Sequence, residues 1–177
     1  MRGNTMNLRA FIFDDDERIR SLLSIILERR GYKVLAFPDP TYFSLYSDTE
    51  CSCPPGHVCG DILITDNNMP SMKGLEFIRN RMQNGCRGIV QNKAVMSGIW
   101  TALDLAYAKS LGCRIFEKPF MIEEIHKWLD ECEKRMDTTR KLIDWYGASL
   151  NYVGLAENPG TDKHSDSGFA NTASMKT

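Results

Sequence analysis

Apolar and polar positions along this chain switch repeatedly between two periods. Leu8 to Phe13 is an apolar run broken only by Arg9, the pattern of a short strand covered on both faces. From Glu17 the spacing changes. Ile19, Leu22, Leu23, Ile26 and Leu27 fall on one helical stripe, with Arg18, Arg20, Glu28 and Arg29 off it. Gly31 is a natural left-handed stop for that helix. Val34 to Phe37 predicts a second strand. Asp39-Pro40 then reads as an N-cap with proline at the first helical position, so a second helix is expected over Thr41 to Tyr46. Asp48 to Gly60 is too rich in proline, glycine and cysteine for regular structure, which marks residues 47–60 as an insertion. A third strand, from Ile62, ends in Asp66.

Leu75, Ile78 and Met82, with Phe77 beside them, predict a third helix after Gly74. Ala94 to Met96 is a fourth strand, ending at Ser97-Gly98. Ile99, Leu103, Ala106 and Tyr107 mark a fourth helix that closes near Gly112. Arg114 to Phe116 is a fifth strand, ending at Glu117-Lys118-Pro119, and Ile122, Ile125, Leu129, Cys132 and Met136 carry a fifth helix. Five strand–helix alternations predict an α/β fold: a doubly wound, five-stranded parallel sheet with five helices on its two faces. Residues 136–155 form an apolar C-terminal extension (Leu142, Ile143, Trp145, Tyr146, Leu150, Val153, Leu155) that either continues and packs the fifth helix or offers a contact surface. Residues 156–177 have little to bury and read as a disordered tail.

Composition narrows the function classes. The 177 residues carry a net charge of −1, so no global field favours nucleic acid or an anionic membrane. No apolar stretch is long enough to span a bilayer, and the first residues lack the apolar run of a signal peptide, so a cytoplasmic location is expected. Reduced cysteines follow from that setting, with Cys113 and Cys132 in apolar patterns that suit buried, inert thiols.

Candidate chemistry sits at the strand ends. All carboxyl ends of a parallel sheet share one edge, where such folds bind ligands. The first strand brings Asp14 and Asp15 there, the third Asp66, the fourth Ser97 and the fifth Lys118. Three clustered carboxylates need a cation to ionise together, and oxygen-only ligands select a hard one such as Mg²⁺ or Mn²⁺. Lys118 and Ser97 add an ammonium and a hydroxyl, suited to phosphoryl oxygens. Around one carboxylate, these groups make a site for placing a phosphoryl group on it.

Residues 7–135 resemble the receiver domains of two-component response regulators, in particular stand-alone ones of the chemotaxis-regulator kind. The resemblance rests on the acidic cluster after the first strand, on Asp66-Asn67-Asn68-Met69-Pro70-Ser71-Met72-Lys73-Gly74, on Met96-Ser97-Gly98 and on Lys118-Pro119-Phe120. It implies the flavodoxin-like strand order 2-1-3-4-5. It also implies that Asp66 accepts phosphate from a histidine kinase's phosphohistidine. Asp15, Asp66 and the backbone carbonyl of Asn68 would ligate Mg²⁺, with Asp14 acting mainly through a metal-bound water. Ser97 would follow the phosphoryl group, Lys118 would pair with it, and the Lys118–Pro119 peptide would be cis. Such a module is a phosphoacceptor rather than an enzyme on a separate substrate. Its output would pass to an unknown downstream protein, or through a homodimer, without direct nucleic-acid contact or membrane insertion.

Two features depart from that pattern. Receivers usually carry Tyr or Phe three residues before the lysine, where this chain has Ile115, and Phe116 beside it should face the other way. The insertion also holds Cys51, Cys53, His57 and Cys59, ligands of the right kind for Zn²⁺ but at a spacing unlike common fingers or ribbons. Unligated loop thiols are the simpler reading, and a disulfide among these cysteines is a third. An alternative function is a haloacid-dehalogenase-like, Mg²⁺-dependent phosphatase built on Asp14. In that reading Arg18 stands where a small hydroxyl residue belongs, and Asp66 has no role.

Overall fold

The computed structural model describes residues 7–43 and 53–143. Its elements in chain order are β1 (Leu8–Phe13), α1 (Glu17–Arg29), β2 (Tyr32–Phe37), a single 3₁₀ turn (Pro40–Tyr42), β3 (His57–Val58) and β4 (Ile62–Asp66). They continue with α2 (Gly74–Gln83), β5 (Lys93–Ser97), α3 (Ala102–Ser110), β6 (Arg114–Glu117), α4 (Ile122–Arg135) and β7 (Lys141–Leu142). Five strands form one parallel sheet in the order β2-β1-β4-β5-β6, which is the expected 2-1-3-4-5 once the small β3 is set aside.

Period-two alternation decides which helices each strand residue meets. Ala10, Ile12, Ile62, Ile64, Ala94, Met96 and Phe116 point to one face, where they pack with Leu23 and Leu27 of α1 and Ile125, Trp128 and Leu129 of α4. Phe11, Phe13, Leu63 and Val95 point to the other and meet Leu75, Phe77 and Ile78 of α2 and Ala108 of α3. Phe116 and Ile115 lie on opposite faces, as strand geometry requires. Gly31 and Gly112 take positive φ (86° and 67°) and end α1 and α3, a conformation that costs a residue without a Cβ little.

Four expectations need correction. Asp39 does cap, its side chain accepting from the Thr41 amide, but among the described residues it opens only one 3₁₀ turn, not a helix from Thr41. Phe43 then folds onto Phe11, their ring centroids 4.8 Å apart, and residues 44–46 lie outside the described part. The insertion is not wholly irregular, because His57–Val58 pairs in parallel with Lys141–Leu142. Consequently the extension does not continue the last helix. α4 ends at Arg135, Met136 is already extended (ψ 135°), and the chain turns back to the insertion. The rest of the extension and the tail, from 144 on, lie outside the described residues. The fourth helical stripe also differs: α3 begins at Ala102, Ile99 precedes it, and Ile99 and Leu103 are 77% and 83% exposed.

Candidate functional site

Four strand ends place their polar groups together at the carboxyl edge of the sheet. The Asp14 carboxylate, fully buried where β1 stops, accepts from the Asp16 amide at 2.9 Å and from Lys118 Nζ at 2.7 Å. The same ammonium lies 2.7 Å from Oδ1 of Asp66, so Lys118 bridges two carboxylates brought by β1 and β4. Oδ2 of Asp66 accepts from the Asn68 amide at 2.7 Å. The Asn68 side chain in turn donates to Ser97 Oγ at 2.9 Å, and Ser97 donates to the Ile99 carbonyl at 2.7 Å. The five residues singled out as chemistry-bearing thus share one edge, with Asp15 the exposed member. The Lys118–Pro119 peptide is cis, as the resemblance implied.

Electrostatics here are set by burial against pairing. Burial pushes the Asp14 carboxyl above its ordinary value, and the hydrogen bond from Lys118 offsets only part of that. For Lys118 the balance is reversed. Burial works to lower it, but hydrogen bonds to Asp14 and Asp66 together hold the ammonium above its usual value.

The local backbone explains why Asp66 is presented so rigidly. The Asn67 amide donates to the Met96 carbonyl, and the Asn67 side chain accepts from the Leu75 amide, tying the end of β4 to both β5 and α2. Gly74 opens α2 directly against this turn. A Cβ there would collide with the Asp66 carbonyl and stand 2.9 Å from the Thr65 side chain. The sequence pattern places Gly74 only as the residue before the third helix. The pattern gives no role to Arg20, which donates to the carbonyls of Asp14 (2.7 Å) and Asp15 (3.1 Å) and so fixes the acidic loop. Its place off the apolar stripe of α1 was the available signal.

The donor set suits a hard divalent cation in kind, being carboxylate and carbonyl oxygen alone. Among the described residues, no three His, Cys, Asp or Glu side chains are drawn together as an ion would hold them. At the acidic edge, the Lys118 ammonium stands between two of the carboxylates and supplies the counter-charge. The thiol set behaves differently. Cys51 lies outside the described residues, and the His57 ring pairs with the Pro55 carbonyl at 3.2 Å. Cys59 is buried, with its Sγ 4.0 Å from that of Cys86, a partner the spacing of the insertion did not reveal. Its hydrogen bond with Cys53, and then burial, push the Cys59 thiol up to about 11. Cys132 is buried as expected, whereas Cys113 is only partly so.

No family model matches the chain. It is 28% identical over 127 residues to the alkaline phosphatase synthesis transcriptional regulatory protein PhoP of Bacillus subtilis, covering 68% of this chain and 46% of PhoP. It therefore spans about half the length of that curated relative. Among solved structures it is similar to the chemotaxis protein CheY4 of Vibrio cholerae (24% identity, TM-score 0.55, 71% of this chain and 98% of that one). It is also similar to the beryllofluoride-activated NtrC4 receiver domain dimer (25%, TM-score 0.54, 71% and 96%). A third likeness is to the receiver domain of the Francisella response regulator 1452 (18%, TM-score 0.58, 74% and 100%). With its strand order and the acidic, serine and lysine strand ends in place, the chain has the flavodoxin-like fold of response-regulator receiver domains and is similar to them.

Proposed function

We propose that this protein is a phospho-accepting signalling module in which Asp66 takes a phosphoryl group from a phosphohistidine of a histidine kinase. The observation that carries this reading is Lys118, whose ammonium lies 2.7 Å from both Asp14 and Asp66 at the ligand-binding edge of the sheet. A P–O bond to Asp66 forms as the P–N bond to the donor imidazole breaks, and the leaving imidazole takes up a proton. Lys118 then pairs with a phosphoryl oxygen in place of one carboxylate. Asp15, Asp66 and the Asn68 carbonyl would hold Mg²⁺, with Asp14 acting through a water. The ion would neutralise the charge that gathers on the transferring oxygens. The phosphatase alternative gains nothing here, since it leaves Asp66 without a role although Asp66 shares the ammonium with Asp14.

The receiver unit spans residues 7–135, and the segment after it is a separate extension. The output passes to a downstream protein or to a second copy through the surface of α3, β6 and α4. Ile99, Leu103 and Met121 lie exposed there, at the carboxyl edge of the sheet. With Ile115 in place of an aromatic switch, the signal travels through the Ser97–Trp100 loop.

Incubation with a small acyl-phosphate donor and Mg²⁺, followed by mass spectrometry, tests the reading. A single labile phosphoryl group on Asp66, absent in Asp66→Asn, is expected. Steady turnover that needs Asp14 and survives Asp66→Asn would overturn it.

A further inference from the structure

At the end of the sheet opposite Asp66 lies a concavity of ≈ 350 Å³, the size of a small-molecule site. Three arginines from three separate segments line it: Arg87 from the loop after α2, Arg135 from the last turn of α4, and Arg140 from the turn before β7. Two carboxylates also face it, and both are engaged. Asp61 pairs with Arg140 Nε at 2.7 Å and accepts from the Arg9 amide at 2.9 Å. Asp137 accepts from the amide and hydroxyl of Thr139, at 2.8 and 2.7 Å.

Among the described residues the guanidiniums retain unused donors. Arg140 spends Nε on Asp61 and Nη2 on the Asn7 carbonyl, leaving Nη1. Arg135 spends Nε on the Asn92 side chain and Nη2 on Cys132 Sγ, again leaving Nη1. Arg87 is exposed and makes no hydrogen bond or ion pair among the described residues. The walls are pinned as well. Arg135 is held by Asn92, whose own amide donates to the Asp61 carbonyl at 3.0 Å, and Gly88 is packed so closely that a Cβ would stand 2.9 Å from the Gly60 carbonyl. A concavity lined by three arginines with spare N–H donors suits tetrahedral oxyanions, which arginine binds through paired N–H groups.

We propose that this concavity binds a small phosphate-bearing anion, and that the bound anion clasps the C-terminal segment to the insertion and to the loop after α2. No residue of the Asp66 site lines it, so the proposal stands independently of the phosphoacceptor reading.

Titration of the full 177-residue chain with inorganic pyrophosphate, without divalent cations, tests this by calorimetry and by amide chemical shifts. Saturable binding is expected, with shifts at Gly60, Gly88 and Asn92 and affinity falling as salt rises. Arg87→Gln should weaken binding about fivefold or more. Because Arg87 has no other partner among the described residues, that variant should melt at the parent temperature, which separates lost binding from lost fold. Absence of saturable binding, shifts confined to the Asp66 edge, or an affinity unmoved by Arg87→Gln would each overturn the proposal.

Discussion

Lys118 Nζ donates to Asp14 Oδ2 at 2.7 Å, joining residues 104 apart in sequence. The pair does not fully offset what burial costs Asp14, whose carboxyl stays above its ordinary value of 3.8. A carboxyl with a raised value binds its proton more tightly when folded. Its contribution to stability is therefore present below the unfolded value and is lost as pH rises through the folded one. Replacing Asp14 by Asn removes the buried charge and leaves Lys118 its partner Asp66. Without divalent metal at neutral pH, Asp14→Asn should melt higher than the parent, and the difference should shrink as the pH is lowered towards 3.8. A lower melting temperature at neutral pH would show that the ion pair outweighs desolvation.

The ion pair of Arg140 and Asp61 tests how firmly the C-terminal segment is anchored. The two side chains are 9% and 3% exposed, so removing one leaves the other buried and uncompensated. Arg140→Ala should cost about 3 kcal/mol in urea denaturation. The double variant with Asp61→Asn should lose less, because no charge is then stranded. A single-variant loss below about 1 kcal/mol would mean that water reaches Asp61 and screens it.

Gly74 couples the fold to the candidate phosphoacceptor. Gly74→Ala should destabilise by about 1–3 kcal/mol, since either α2 or the Asp66 carbonyl must give way. The same variant should slow labelling by an acyl-phosphate donor. An unchanged denaturation midpoint would show that α2 slides without cost.

Trp100 follows Ser97 by three residues and packs on the core face that Ile115 joins. Its indole Nε1 is buried without a hydrogen-bond partner among the described residues, so movement of the loop should bring an acceptor or water to it. Fluorescence should change on addition of acyl phosphate with Mg²⁺. Trp100→Phe should remove the change although Trp128 and Trp145 remain. An unaltered response in that variant would place the moving aromatic elsewhere.

Strand ends were legible because they depend on local patterning. An apolar run that stops at a polar residue defines where a strand leaves the sheet, and parallel winding sends every such end to one edge. Asp14, Asp66, Ser97 and Lys118 could therefore be grouped before any distance was known. Phe116 could be assigned to the face opposite Ile115 for the same reason. The helical stripe through Ile99 and Leu103 misled, because periodicity reports an apolar face without saying what, if anything, covers it.

The sequence by itself determined the alternation of elements, the sheet they build and the residues delivered to its carboxyl edge, since each follows from the period of a short segment. Only the tertiary structure decided what meets across long loops. The pairing of His57–Val58 with Lys141–Leu142, the Cys59–Cys86 contact, the Arg140–Asp61 pair and the arginine-lined concavity all join segments with no shared period. Their partners are set by where the folded sheet and helices leave room and unpaired polar groups, which no local pattern records. For the phosphoacceptor edge, the sequence named the residues. The fold added how they are held: one ammonium between two carboxylates, with Asn68 linking Asp66 to Ser97.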